Sequence, residues 1–160
     1  MIASFNYVRF PPASKEPKLR PMLKVYFKSH INTLPAFDAL VDSGSDITLS
    51  YEEIGRKLGI DFDDEGFRKK TELQTGLPFN DEVSGLAPKP VDVFVVPVEL
   101  SINGKTMKVC VRWIKENFNS ETDFPIMLGQ DSVFWLFDIH FSKRQHKFFL
   151  SEEVFQPKPD

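Results

Sequence analysis

Phe37-Asp38-Ala39-Leu40-Val41-Asp42-Ser43-Gly44-Ser45-Asp46-Ile47-Thr48-Leu49 decides how the rest of the chain is read. An apolar run climbs into Asp42-Ser43-Gly44 and leaves again as an apolar run. A carboxylate between two such segments needs a reason, because an unpaired buried one is costly or neutralises. Gly44 permits a sharp turn and close backbone approach. Ser43 and Ser45 offer hydroxyls to hold that turn. The stretch reads as a strand that delivers one Asp to the tip of a tight loop. Taken alone, the same residues also read as a polar turn in which Asp caps its own loop.

Working outward, the patterns are mostly those of strands. Leu23, Val25 and Phe27 alternate with Lys24, Tyr26 and Lys28, the two-residue period of a half-buried strand. Ile31 to Pro35 reads as a turn, and Ala36 to Val41 as the strand feeding the Asp loop. From Asp92 to Ile102 the chain alternates again, with Phe94, Val96, Val98, Leu100 and Ile102 on one face. Asn103-Gly104 follows, the favoured two-residue hairpin turn. The return strand carries Met107, Val109, Val111 and Trp113 on one face. Asn117 to Asp123 reads as a polar loop and Ile126 to Leu128 as a short buried strand. Phe137 to Phe141 and His146 to Leu150 read as a hairpin around Lys143-Arg144-Gln145.

Helix signals are few. Ser50-Tyr51-Glu52-Glu53 has the capping-box pattern, Ile54 and Leu58 share a face, and Gly59 stops the run, so Ser50 to Leu58 is expected to be a short helix. Asp61, Asp63, Asp64 and Glu65 lack the glycine and terminal glutamate of an EF-hand and read as a solvated acidic loop. Residues 66 to 90 show no sustained period, and Arg68-Lys69-Lys70 reads as a solvated face. Pro11, Pro12, Pro17 and Pro21 among charged residues read as an extended linker, and residues 156 to 160 as a frayed tail. The expected division is an arm over 1–21, a domain over 22–151 and a tail over 152–160.

Bulk properties bound the function. The 160 residues suffice for one domain with a real core, and 16 of them are Phe. A net charge of −3, from 20 basic and 23 acidic residues, gives no electrostatic footprint for nucleic acid. One Cys rules out an intramolecular disulfide and suits a reducing compartment. Met1 to Phe10 has no basic segment followed by a long apolar run, and no apolar span is long enough for a membrane. The expected location is cytoplasmic.

Several chemistries find no support. Ser43 or Ser45 as a nucleophile would need a nearby His, and His30, His140 and His146 carry no triad context. Those histidines lack metal-ligand spacing, and no phosphate-binding glycine loop appears. Cys110 sits mid-strand, out of phase with the apolar face, and reads as a packing residue. Trp113 and Trp135 read as core or interface aromatics.

Two stretches together resemble a known family. Val41-Asp42-Ser43-Gly44-Ser45 resembles the Asp-Thr/Ser-Gly-Ala/Ser active-site loop of the aspartic proteases. Phe124-Pro125-Ile126-Met127-Leu128-Gly129-Gln130-Asp131 resembles the apolar-apolar-Gly strand that follows it in the retropepsin-like branch. Ser132 to Ile139 is similar to that branch's short helix and closing strand. The resemblance spans roughly residues 20 to 151. It implies a mostly β fold, a small closed β-barrel with one or two short helices, assembled as a two-fold homodimer.

It also implies an activity. Pepsin-like chains carry two Asp loops and this one carries one, so the second aspartate would come from a second copy. By resemblance, Asp42 is the catalytic aspartate. Ser43 supplies the hydroxyl that bonds across the two-fold axis, Gly44 a carbonyl along the substrate, and Ser45 further loop support. Asp46 would contact peptide backbone. Met127 and Leu128 would line or support a side-chain pocket, and Gly129 would close the second loop. Val83 to Pro88, with Gly85 and Leu86, is the nearest match to the family's glycine-rich flap within a flap region of about 76–92, and Leu77 to Asp81 is a second candidate. The implied function is peptide-bond hydrolysis without metal or organic cofactor, on extended peptides with apolar side chains near the cut. The alternative is an inactive dimerisation or peptide-binding module on the same fold.

Overall fold

The computed structural model describes residues 2–28 and 36–152. The expected turn at Ile31 to Pro35, His30 and the tail from Gln156 lie outside the described residues. In chain order the strands are β1 (Ile2–Asn6), β2 (Val8–Phe10), β3 (Lys18–Arg20), β4 (Met22–Phe27), β5 (Phe37–Val41) and β6 (Leu49–Tyr51). Helices α1 (Glu52–Lys57) and α2 (Glu65–Thr75) follow, then β7 (Asn80–Val83), β8 (Val91–Ile102), β9 (Lys105–Ile114) and β10 (Ile126–Leu128). A short helix α3 (Val133–Leu136) precedes β11 (Asp138–Ser142) and β12 (Lys147–Ser151).

The main sheet closes on itself. Its order is β4-β5-β10-β6-β9-β8, and β8 pairs back onto β4, making a six-stranded barrel with β7 attached to β8. Closure removes the free edges that an open sheet would expose. The expected mostly β closed barrel is therefore present. It carries three α-helices and one 3-10 turn (Lys143–Gln145) among the described residues, where one or two short helices were expected.

The β8–β9 hairpin is the longest element and matches its sequence pattern. Asn103 and Gly104 both have positive φ, at 48° and 80°, as a two-residue hairpin turn of this hand requires. The register pairs Phe94 with Trp113, Val96 with Val111 and Val98 with Val109, all on the anticipated face. The opposite face is also covered at one end, where Val91, Val93 and Val95 are buried. Inside, Trp113 is fully buried and donates its indole N–H to the Val96 carbonyl at 3.1 Å. Phe62 stacks on Phe94 and meets Trp113 edge-on. Gly55 makes room for this packing, since a Cβ there would lie 2.6 Å from the Phe62 ring.

Three sequence expectations need correction, and a fourth is narrowed. Residues 1–21 are not a bare arm: β1 pairs with β12, β2 pairs with β3, and Phe10 is buried against Phe124. Only the proline-rich residues between β2 and β3 are linker. The helix expected from Ser50 begins at Glu52, and Ser50 lies in β6. Its hydroxyl donates to the Pro125 carbonyl at 2.8 Å instead of capping, because the chain just before β10 offers an acceptor there. Residues 65 to 75 form α2, whose polar sequence shows little periodicity because it rests on the barrel through few side chains, Phe67 among them. Of the two tryptophans read as core or interface aromatics, Trp113 lies in the core and Trp135 does not, being 79% exposed, which leaves the interface alternative for it.

The acidic loop before α2 has structural work. Asp64 caps the helix by accepting from Gly66 N and Phe67 N. Asp63 pairs with Arg56 at 3.1 Å. Lys69 and Arg68 pair with Glu65 and Glu72 along the exposed helix face.

Candidate active site

Asp42 sits one residue beyond the end of β5. Strand order is what places it. Consecutive strands β5 and β6 do not pair; β10 lies between them, parallel to β5 and antiparallel to β6. The Asp42–Thr48 connection must therefore cross over the end of β10, where Gly129 follows. Two chain segments far apart in sequence meet there at close quarters.

Backbone bonds fasten the crossing. Asp42 N–H donates to Leu128 O at 3.0 Å, and Gln130 N–H donates to Ser45 O at 2.8 Å. The Gln130 side-chain amide donates to Ser43 O at 2.8 Å. Ser45 Oγ donates to Ile47 O at 2.7 Å. Gly129 packs so tightly that a Cβ would lie 2.2 Å from Ile47 O and 2.7 Å from Ser45 O. No other residue type fits that space.

Thr48 is the polar centre beneath the loop. It is fully buried, as is Ser132. Its Oγ1 accepts from Gly129 N–H at 3.3 Å and lies 2.6 Å from Asp131 Oδ1 and 2.7 Å from Ser132 Oγ. Arg112 of β9 reaches the other Asp131 oxygen at 3.7 Å, while its own N–H donates to Thr48 O at 3.0 Å. This network ties β9, the Asp42 loop and the turn into α3 together.

Above that base the loop is open. Asp42 is half-buried, and Ser43, Gly44 and Asp46 are exposed. Asp42 Oδ1 accepts from Gly44 N–H at 3.0 Å, a turn bond made by the loop itself. No cation pairs with Asp42 among the described residues. A carboxylate so placed can accept a proton from water or share one with a second acid brought near it.

Met127 and Leu128 divide as strand alternation requires. Leu128 is fully buried in the core, and Met127 is half-buried and lines a cavity of about 240 Å³. Leu86 lines the same cavity from the opposite side. Gly85 and Leu86 lie on the tip of the β7–β8 hairpin, whose last pair is Val83 with Val91. Gly85 has φ of 93°, and the tip from Ser84 to Pro90 is exposed throughout. Phe79, by contrast, is 1% exposed, so the Leu77 to Asp81 stretch belongs to the hairpin's base.

Among the described residues, the other candidate side chains lie apart from this loop. His140, on β11, lies against Phe149, and His146, in the turn between β11 and β12, lies near Tyr7. Burial pushes the Cys110 thiol above its ordinary range, which opposes a reactive thiolate. No group of three or more His, Cys, Asp or Glu among the described residues could hold a metal ion. None of the described helices is long and apolar enough to cross a membrane.

Sequence reading missed Thr48, Gln130 and Arg112. Thr48 left one trace, a hydroxyl in the apolar run Ile47-Thr48-Leu49. Nothing local marks the other two.

A closed barrel in which an Asp-Ser-Gly loop interlocks with an apolar-apolar-Gly strand is the architecture of the retropepsin-like aspartic proteases. One solved structure bears out the fold, and two others are similar more loosely. A retropepsin-like aspartic protease from Rickettsia conorii superposes with a TM-score of 0.55 at 13% identity, over 94% of this chain and 91% of that one. EIAV protease complexed with the inhibitor HBY-793 matches with a TM-score of 0.47 at 16% identity, over 74% and 89% of the two chains. The retroviral protease-like domain of Ddi1 from Leishmania major matches with a TM-score of 0.48 at 8% identity, over 78% and 82%. No protein-family model and no curated sequence matches the chain. The chain has the retropepsin-like fold.

Proposed function

We propose that the protein is an aspartic endopeptidase, active as a homodimer in which Asp42 and its symmetry mate share one proton. The observation that carries this reading is an uncompensated carboxylate at the open end of a loop locked from below by Gly129, Gln130 and Thr48. One such Asp is a poor base and a poor acid near neutral pH. Two held about 3 Å apart cannot both ionise, and the pair then works as a unit. The ionised member takes a proton from water, and the protonated member donates to the carbonyl oxygen of the scissile bond. The chain holds one Asp-Ser-Gly loop, so a two-fold axis would supply the second. Ser43, exposed beside Asp42, would bond across that axis, and Gly44 and Asp46 would border the substrate backbone.

Support for dimerisation comes from the terminal sheet. Strands β1 and β11 form its edges, and Ile2 and Trp135 are exposed at 66% and 79%. Ile2 stands on the edge strand β1 and Trp135 on helix α3, and exposed apolar side chains of that size suit a partner surface. The 84–90 hairpin tip would fold over the substrate. Its Pro88 and Pro90 favour the second reading, an inactive peptide-binding or dimerisation module, because a lid needs residues that absorb backbone change.

Cleavage of a broad peptide mixture by wild type and Asp42→Asn, from pH 4 to 7 with sedimentation of the same samples, separates the two. A dimer that cuts, beside an Asn variant that does not, supports the enzyme. A dimer that never cuts supports the binding module.

A further inference from the structure

The cavity between the 84–90 hairpin tip and β10 has a chemistry of its own. Leu86, Ile114 and Met127 give it apolar lining, and Glu116 and Asp123 line it as well. Its volume of about 240 Å³ is below the range of ordinary small-molecule pockets, and suits one side chain rather than a whole ligand. Neither carboxylate has a cationic partner among the described residues. The nearest lysine in sequence, Lys115, is turned to Asn80 Oδ1 at 2.7 Å and the Phe94 ring.

Asp123 is held in place. Its Oδ2 accepts from Asn119 N–H at 2.8 Å and its Oδ1 from Thr122 Oγ1 at 3.1 Å. Tyr51 lines the same cavity, and burial together with the Asp123 carboxylate holds its phenol protonated well above its ordinary range. Every group bonded to Asp123 is a neutral donor, and the Arg20 guanidinium nearby is placed over the Phe124 ring without pairing with it. Glu116 is exposed and free to swing toward an incoming group. The pocket also adjoins the candidate catalytic loop, since Met127 is one residue from Leu128, whose carbonyl binds Asp42 N–H.

We propose that this cavity is a specificity subsite for a basic side chain, lysine or arginine, on the peptide substrate. This rests on the protease reading for the peptide's path past Asp42. An aliphatic stem would lie along Leu86, Ile114 and Met127, and the cationic head would reach Glu116 and Asp123. An acidic side chain in the same place would meet two like charges and lose its hydration. Glu116 and Asp123 would thus set a charge preference at one substrate position within an otherwise apolar cleft.

Two measurements test this, one of which does not need catalysis. Cleavage of a random peptide library, read by mass spectrometry, should show lysine and arginine enriched at a single position near the cut. That enrichment should vanish in Glu116→Gln and turn toward acidic residues in Glu116→Lys; Glu116 is exposed, so both variants should keep the fold, and circular dichroism checks it. Cutting with no basic preference would overturn the subsite and leave the protease intact. Binding of lysine peptides and their glutamate twins to Asp42→Asn covers the case in which nothing is cut. The lysine forms should bind about fivefold tighter at low salt and lose that margin at high salt. Equal binding, or none, would overturn the subsite.

Discussion

Asp42 and Asp64 make the same local bond in different frames. Each accepts, through Oδ1, from the N–H two residues on: Gly44 at 3.0 Å and Gly66 at 2.8 Å. In the Asp64 turn the chain continues directly into α2, and the carboxylate serves as its cap. In the Asp42 turn the chain crosses β10, and bonds from Leu128, Gln130 and Gly129 come from more than 80 residues away. A side-chain turn bond is therefore no mark of a site. What sets Asp42 apart is that distant chain fixes the loop while the carboxylate stays open.

Several measurements would break or sharpen that contrast, and the glycines give the largest effect. Gly129→Ala forces a Cβ onto the Ile47 and Ser45 carbonyls and should cost about 3 kcal/mol or more in urea unfolding. Gly66→Ala, where the nearest atom is 3.3 Å away on the Asp64 side chain, should change stability by less than about 1 kcal/mol. Equal losses at both would mean the Asp42 loop is no more tightly fixed than the other turn. Thr48→Val comes next. It strips a buried acceptor from Gly129 N–H and a partner from Asp131 and Ser132, and should cost about 2 kcal/mol by the same assay. Asp64→Ala removes only a helix cap and should cost about 1 kcal/mol.

Tyr51, on the fastened side, adds a pH dependence. Its phenol is raised first by burial and then by the charge of Asp123. The unfolded chain would ionise it near pH 10, while the folded chain holds it neutral. Its contribution is thus complete below about pH 10 and lost as pH rises toward the folded value. Thermal melts of the wild type should fall more steeply above about pH 10 than those of Tyr51→Phe. Asp42→Asn should have the smallest effect on stability, within about 0.5 kcal/mol, because the amide oxygen still accepts from Gly44. A large loss there would make Asp42 a structural residue.

The sequence was most legible where local rules and tertiary needs coincide. Alternation plus Asn103-Gly104 located β8 and β9, because turn conformation and strand twist both demand those residues. The Asp42 loop and the Gly129 strand could be paired because each carries its own motif. Helix α2 escaped because so few of its residues touch the core that no apolar stripe forms. Ser50 misled because its hydroxyl finds a better acceptor 75 residues away. Strands β1 to β3 were hidden by prolines in the loop between two of them. The support beneath Asp42 is likewise long-range: Thr48, Gln130 and Arg112 acquire their roles only once β9, β10 and the loop converge.

Mixing wild type with Asp42→Asn tests the shared aspartate most directly. Protomers are exchanged, and cleavage is followed as the wild-type fraction falls at constant total protein. If a working site needs Asp42 from both copies, activity follows the square of that fraction and drops to about a quarter at equal parts. Activity that instead falls in simple proportion, to about a half, would show each chain working alone and contradict the shared site.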